Sequence, residues 1–236
     1  MTRLFTAVVA VTLGLAGCDA MPGRPRPDAR ELAPTEVMAF EALYARNCAG
    51  CHGQTGRLGA ARALNDPVYL AVVPPERVRQ VIAAGVPGTA QPAFALSGGG
   101  PLTDPQIEIL ARGIADRWRR PGAVGGGEAP PYDGGRAAGR ESGNADRGRG
   151  VFASTCARCH GDDGQGGPRG GGVANSSYLA LVSDQHLRTT IIAGRSDLGM
   201  PDWRGDGSTA PLTPQQVSDV VAWLVAQRRP VPGRLP

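Results

Sequence analysis

Cys48-Ala-Gly-Cys51-His52 and Cys156-Ala-Arg-Cys159-His160 place the same five-residue frame at two points of a 236-residue chain. Each frame sits inside a longer self-match, in which residues 38–118 align with 146–228 with small gaps. Tyr44 falls on Phe152, "YLA" (69–71) on "YLA" (178–180), "VIAAG" (81–85) on "TIIAG" (190–194), and "PLT" (101–103) on "PLT" (211–213). Self-similarity of this length is settled before any fold is assigned. The chain is therefore read as a tandem of two related domains.

Within each unit the apolar spacing is helical. Val37, Phe40, Leu43 and Tyr44 predict a helix over Thr35–Asn47 that runs directly into the first frame. The last helix of each unit opens on Thr103 or Thr213, with Gln106 or Gln216 three residues on, the capping-box signature. A short helix lies between, in "PPERVRQVIAAG" and "DQHLRTTIIAG", and no alternating strand is found. The expectation is an all-α fold. Thirty-five Gly, 21 Pro and 5% aromatics favour two small, loop-rich units, for which a large prosthetic group would supply missing core.

Cys-x-x-Cys-His is the attachment signal of c-type haem. Its two thiols, on adjacent turns, each form a thioether to one vinyl group, and the following imidazole reaches the iron. A thioredoxin-like redox pair would require a βαβ context that is missing. A four-cysteine zinc site would require the two pairs to lie close in sequence, but more than 100 residues separate them. The candidate covalent sites are therefore Cys48 and Cys51 for one haem c and Cys156 and Cys159 for a second, with His52 and His160 as iron ligands.

Each repeat resembles a class I cytochrome c domain. The tandem is similar to dihaem members such as the cytochrome c4 type and the cytochrome subunit of cbb3-type oxidases. The resemblance covers about 80 residues of each half and implies crossed terminal helices, with Phe152 meeting Trp223. It also implies a loop that brings a Met sulfur to the iron as sixth ligand. Met200, 40 residues after His160 in "GMPDW", matches. The first half departs twice: Gly113 stands opposite Trp223, and Gln91 in "GTAQPAF" stands opposite Met200. Neither Met1, Met21 nor Met38, read as lying on the first helix, is placed to replace the ligand. Three outcomes stay open for haem 1: weak ligation by the Gln91 oxygen, an open or water-bound iron, or another residue swinging in. His186, aligned with Arg77, reads as a solvated surface histidine. A His/Met iron is a high-potential, unreactive relay, and the first haem is expected at lower potential.

The start, "MTRLFTAVVAVTLGLAGCDA", has a short charged segment, an apolar run and small residues before Cys18, as in an export signal. "LAGC" resembles a bacterial lipobox, which implies cleavage before Cys18 and its lipidation, and so an anchor at the periplasmic face of the inner membrane. The expected plan is signal peptide 1–17, lipidated tether 18–33, first domain 34–118, flexible Gly/Pro-rich linker 119–144, and second domain 145–230. A net charge of +4 without a Lys/Arg block gives no case for nucleic acid. The resulting expectation is a membrane-anchored electron carrier rather than an enzyme. Its partners would be redox proteins: a quinol-oxidising complex, a terminal oxidase or a reaction centre. The alternatives are a fixed subunit of an oxidase or dehydrogenase complex, or a haem enzyme or ligand sensor using an open haem 1.

Overall fold

The computed structural model describes residues 31–125, 128–134 and 142–229. Residues 34–36 form a single 3-10 turn, in which the Ala33 N–H donates to the Glu36 carboxylate at 2.9 Å. The remainder holds two helical repeats. In the first, α1 (Phe40–Asn47) leads into the one-turn α2 (Ala49–His52), followed by α3 (Pro67–Val72), α4 (Pro75–Ala84) and α5 (Asp104–Trp118). In the second, α6 (Ala145–Thr155) leads into α7 (Ala157–His160), then α8 (Ser176–Leu181), α9 (Asp184–Ala193) and α10 (Pro214–Ala226). Among the described residues there are isolated bridges but no strand. The all-α expectation holds.

The helix starts follow from local chemistry. Both predicted capping boxes form, at Thr103 with Gln106 and at Thr213 with Gln216, each with Pro in the first turn where its missing N–H costs nothing. The first helix starts later than its apolar spacing suggests, at Phe40 rather than Thr35. Ahead of that start Val37 makes a tertiary bond, its carbonyl accepting from the buried Gln106 amide at 2.9 Å. Met38 accordingly lies before the helix, exposed, and not on it. Between the terminal helices each repeat has two short helices, where one was expected. The extra ones, α3 and α8, carry the repeated "YLA" and are nucleated by Asp66 and Asn175 side-chain caps.

The terminal helices pack against each other in both halves, and the crossing is built in opposite senses. In the second repeat Gly148 on α6 faces α10, where Phe152 and Trp223 meet with ring centroids 4.3 Å apart. A Cβ on Gly148 would lie 2.0 Å from the Asp219 carbonyl oxygen. In the first repeat the bulky residue is on the other helix: Phe40 occupies the position of Gly148, and Gly113 that of Trp223. A Cβ on Gly113 would lie 2.2 Å from the Phe40 ring. The large-small pair has exchanged sides with the helix approach preserved. Trp118 then completes an aromatic cluster with Phe40 and Tyr44, its ring 6.0 and 5.4 Å from theirs.

The connecting segment departs from expectation where it is described. Arg188 donates to the Pro131 carbonyl at 3.0 and 2.8 Å, Gln185 to the Tyr132 carbonyl at 2.8 Å, and Arg204 to the Val124 carbonyl at 3.0 Å. These parts are held to the second repeat, because three of its side chains satisfy carbonyls that a free linker would leave to water. The repeats also touch directly: Val68 and Val72 of α3 pack on the apolar core of the second repeat.

Candidate haem sites

Each Cys-x-x-Cys-His frame is one helical turn appended to a longer helix. Cys48 leaves helical geometry at φ −120°, yet its N–H still donates to the Tyr44 carbonyl, and the His52 N–H donates to the Cys48 carbonyl at 2.9 Å. Cys156 and His160 repeat the pattern at 3.0 Å. Gly53 and Gly161 end the turns at φ 82° and 79°, where a side chain is strained. A Cβ on Gly53 would also lie 1.8 Å from the Arg57 carbonyl oxygen. Both frames read Cys-x-x-Cys-His-Gly, so this requirement was visible in the sequence although the frame was read only to the histidine.

The four described cysteines are free of disulfides. Burial, followed by the neighbouring Cys51, pushes the Cys48 thiol up to about 11, and burial raises Cys156 as well. Both are neutral thiols at pH 7, unlike the thiolates of zinc sites or redox pairs. Among the described residues no group of three or more His, Cys, Asp or Glu could hold a metal ion.

The histidines are held alike. His52 Nδ1 lies 2.6 Å from the Arg62 carbonyl oxygen, and His160 Nδ1 lies 2.8 Å from that of Gly171. A carbonyl only accepts, so Nδ1 carries the proton and Nε2 keeps a lone pair for a metal. Burial is the main cause that lowers the pKa of His52, which keeps its imidazole neutral. Sequence reasoning missed both carbonyls, because a main-chain acceptor leaves no mark in residue identity.

In the second site Cys159 and Met200 line one cavity of about 740 Å³. That is within the roughly 300–1,000 Å³ typical of cofactor pockets. Arg120, Arg158, Arg169 and Arg204 line it together with Asp66, Asp202 and Asp206, and Arg158 and Arg204 are paired with Asp206 and Asp202. In the first repeat the Gln91 side chain is among the groups that act on the His52 ring, so the loop aligned with the methionine loop lies beside the histidine. Buried donors Nε and Nη1 of Arg62 have no partner among the described residues, a sign of an acidic or carbonyl-bearing occupant. The residues present fit a c-type haem in each repeat.

His186 differs from expectation. It is half-buried on α9, and burial together with Arg62, Arg195 and His52 lowers its pKa to about 4. Its alignment with the exposed Arg77 misled, because the contact with the other repeat exists only in the tertiary structure. Cys18 and its leader lie outside the described residues.

The family model described as cytochrome c oxidase, cbb3-type, subunit III matches residues 35–112 and again 143–224. A cbb3-type cytochrome c oxidase subunit FixP of Bradyrhizobium sp. (strain ORS 278) is 30% identical over 172 residues, 69% of this chain and 53% of that protein. A thiosulfate dehydrogenase of Stutzerimonas stutzeri (strain A1501) is 35% identical over 133 residues, 53% of this chain and 41% of that protein. The chain thus spans about half or less of the length of these relatives. A chain of the Kuenenia stuttgartiensis reducing HAO-like protein complex superposes with a TM-score of 0.45 at 14% identity, covering 85% of this chain and 100% of that one.

Proposed function

We propose that this chain, which belongs to the cytochrome c oxidase cbb3-type subunit III family, relays single electrons between redox proteins through two covalently bound haem c groups. In this reading Cys48 and Cys51 bind haem 1, and Cys156 and Cys159 bind haem 2. His52 and His160 would each hold an iron through Nε2. Met200 would supply a sulfur to haem 2, and Gln91 would offer haem 1 a weak oxygen ligand or leave that position open. When bound, each haem supplies one reversible electron per turnover. The protein fixes the ligands, excludes water and sets the two potentials apart.

The observation that carries the reading is the matching treatment of the two histidines, each with Nδ1 bonded to a main-chain carbonyl, which directs Nε2 to serve as the ligand. It recurs although the residues supplying the carbonyls differ. Magnetic and optical spectroscopy of the purified protein tests it. Two low-potential-to-high-potential steps are expected in a redox titration, with a Met-sulfur-to-iron charge-transfer band at half the intensity per haem, abolished by Met200→Ala. Full intensity, or equal potentials, would overturn the assignment of Gln91.

The partner proposed first is a terminal oxidase, by kinship with an oxidase subunit. Lipidation of Cys18 would confine the carrier to the periplasmic face of the inner membrane and raise the effective concentration of that partner. Co-purification after mild detergent extraction tests the partner, and release from membranes by Cys18→Ser tests the anchor. A second reading, oxidation of a small anion at haem 1, is supported by the similarity to a thiosulfate dehydrogenase. Thiosulfate-dependent reduction of the haems would favour it, and its absence would leave the relay.

A further inference from the structure

We propose that Arg62 is a positioning residue that couples the two haem sites, holding the histidine of the first with its carbonyl and the methionine loop of the second with its guanidinium. The inference rests on the assignment of His52 and Met200 as ligands. A continuous series of bonds supports it. His52 Nδ1 donates to the Arg62 carbonyl at 2.6 Å, and Arg62 Nη2 reaches into the second repeat to donate to the carbonyls of Gly194 at 3.1 Å and Thr189 at 3.4 Å. The next residue, Arg195, is paired with Met200 by two main-chain bonds of 3.0 Å.

The repeat provides an internal control. Gly171 supplies the equivalent carbonyl to His160 with no side chain at all. Holding the histidine therefore needs no arginine, and the Arg62 side chain serves a second purpose that has no counterpart at Gly171. It is 6% exposed, stacked over the Tyr69 ring at 5.0 Å, and has no ion pair among the described residues. A buried cation without a carboxylate on it is costly. Neighbouring bonds reinforce the same seam: Arg195 donates to the Gly59 carbonyl at 3.1 Å, Asp197 accepts from the Leu58 N–H at 2.9 Å, and Ser196 donates to Asp66 at 3.1 Å. The loop behind one candidate haem is thus bonded to the loop in front of the other. A shift at either one strains the other, while the buried charge favours the electron at haem 1.

The test uses the full dihaem protein with Arg62→Met and Arg62→Lys. Midpoint potentials of both haems are measured, and imidazole is titrated against the oxidised protein while the Met-sulfur-to-iron band is followed. In Arg62→Met the haem 1 midpoint is expected to fall. Imidazole should displace Met200 at about three- to tenfold lower concentration, from loss of charge-assisted bonds to the loop. Arg62→Lys should restore the potential, which needs only charge, but not the imidazole resistance, which needs the fork across two carbonyls. An unchanged imidazole titration in variants that retain both haems overturns the coupling. Should Arg62→Met fail to mature, Arg62→Lys decides by the same titration. Absence of the band in the unmodified protein would instead remove the ligand assignment, so the two failures are distinguishable.

Discussion

Adding one methyl group at Gly113 should have opposite effects depending on what stands at position 40. The Cβ of Gly113→Ala would lie 2.2 Å from Cδ2 and 2.7 Å from Cε2 of Phe40, far inside contact distance. Relieving this by moving the ring or the helix costs about 1–3 kcal/mol. Against it stands the helix propensity gained by replacing a mid-helix glycine with alanine, about 1 kcal/mol. The net effect is a loss of up to about 2 kcal/mol in the native background. With Phe40→Ala in place the clash disappears and only the gain of about 1 kcal/mol remains, on top of the roughly 3–5 kcal/mol that loss of the buried ring costs by itself. A double-mutant cycle on the haem-loaded protein should therefore give a coupling of about 1–3 kcal/mol. Guanidinium unfolding read at the haem absorbance of each repeat measures it. Equal effects of Gly113→Ala in both backgrounds would refute the account of the crossing. The consequence extends to the site, since Cys48 is the residue at which α1 ends.

Gly148→Ala should be worse than Gly113→Ala, because its Cβ would meet the Asp219 main-chain oxygen at 2.0 Å and backbone cannot rotate aside as a ring can; thermal unfolding of the second repeat checks this. Tyr44→Phe removes the bond from the Tyr44 hydroxyl to the Gly53 carbonyl at 2.9 Å, just after His52, and should cost about 1 kcal/mol in denaturant. Asp197 is held down to about 2, chiefly by its hydrogen bond from Arg195. Its contribution is complete above the unfolded carboxylate value near 3.8 and is lost as pH falls toward about 2, so contact between the repeats should loosen in that window and not in Asp197→Asn. His186 sits at about 4 against an ordinary 6.5, mainly through burial, so the unfolded chain takes up the proton first. Stability should therefore fall as pH drops from 6.5 to about 4, and His186→Gln should flatten that limb in pH-dependent melts.

The sequence by itself determined the parts of this protein that depend on local spacing. Two thiols and an imidazole at fixed offsets on one turn are a statement about neighbouring residues, and so are the capping boxes at Thr103 and Thr213. Comparing the halves also located the loops of Met200 and Gln91, because an internal repeat aligns a chain with itself. What depends on contacts between distant segments was decided only by the tertiary structure. The carbonyls of Arg62 and Gly171 could not be read, since any residue supplies a carbonyl and only folding aims it. Val37, ahead of the first helix, is bonded to Gln106, 69 residues away. His186 and Arg62 look like surface residues in one dimension because nothing local marks the seam that covers them. The seam joins the loop beneath one candidate haem to the loop above the other, and that link arises only when the two repeats pack together.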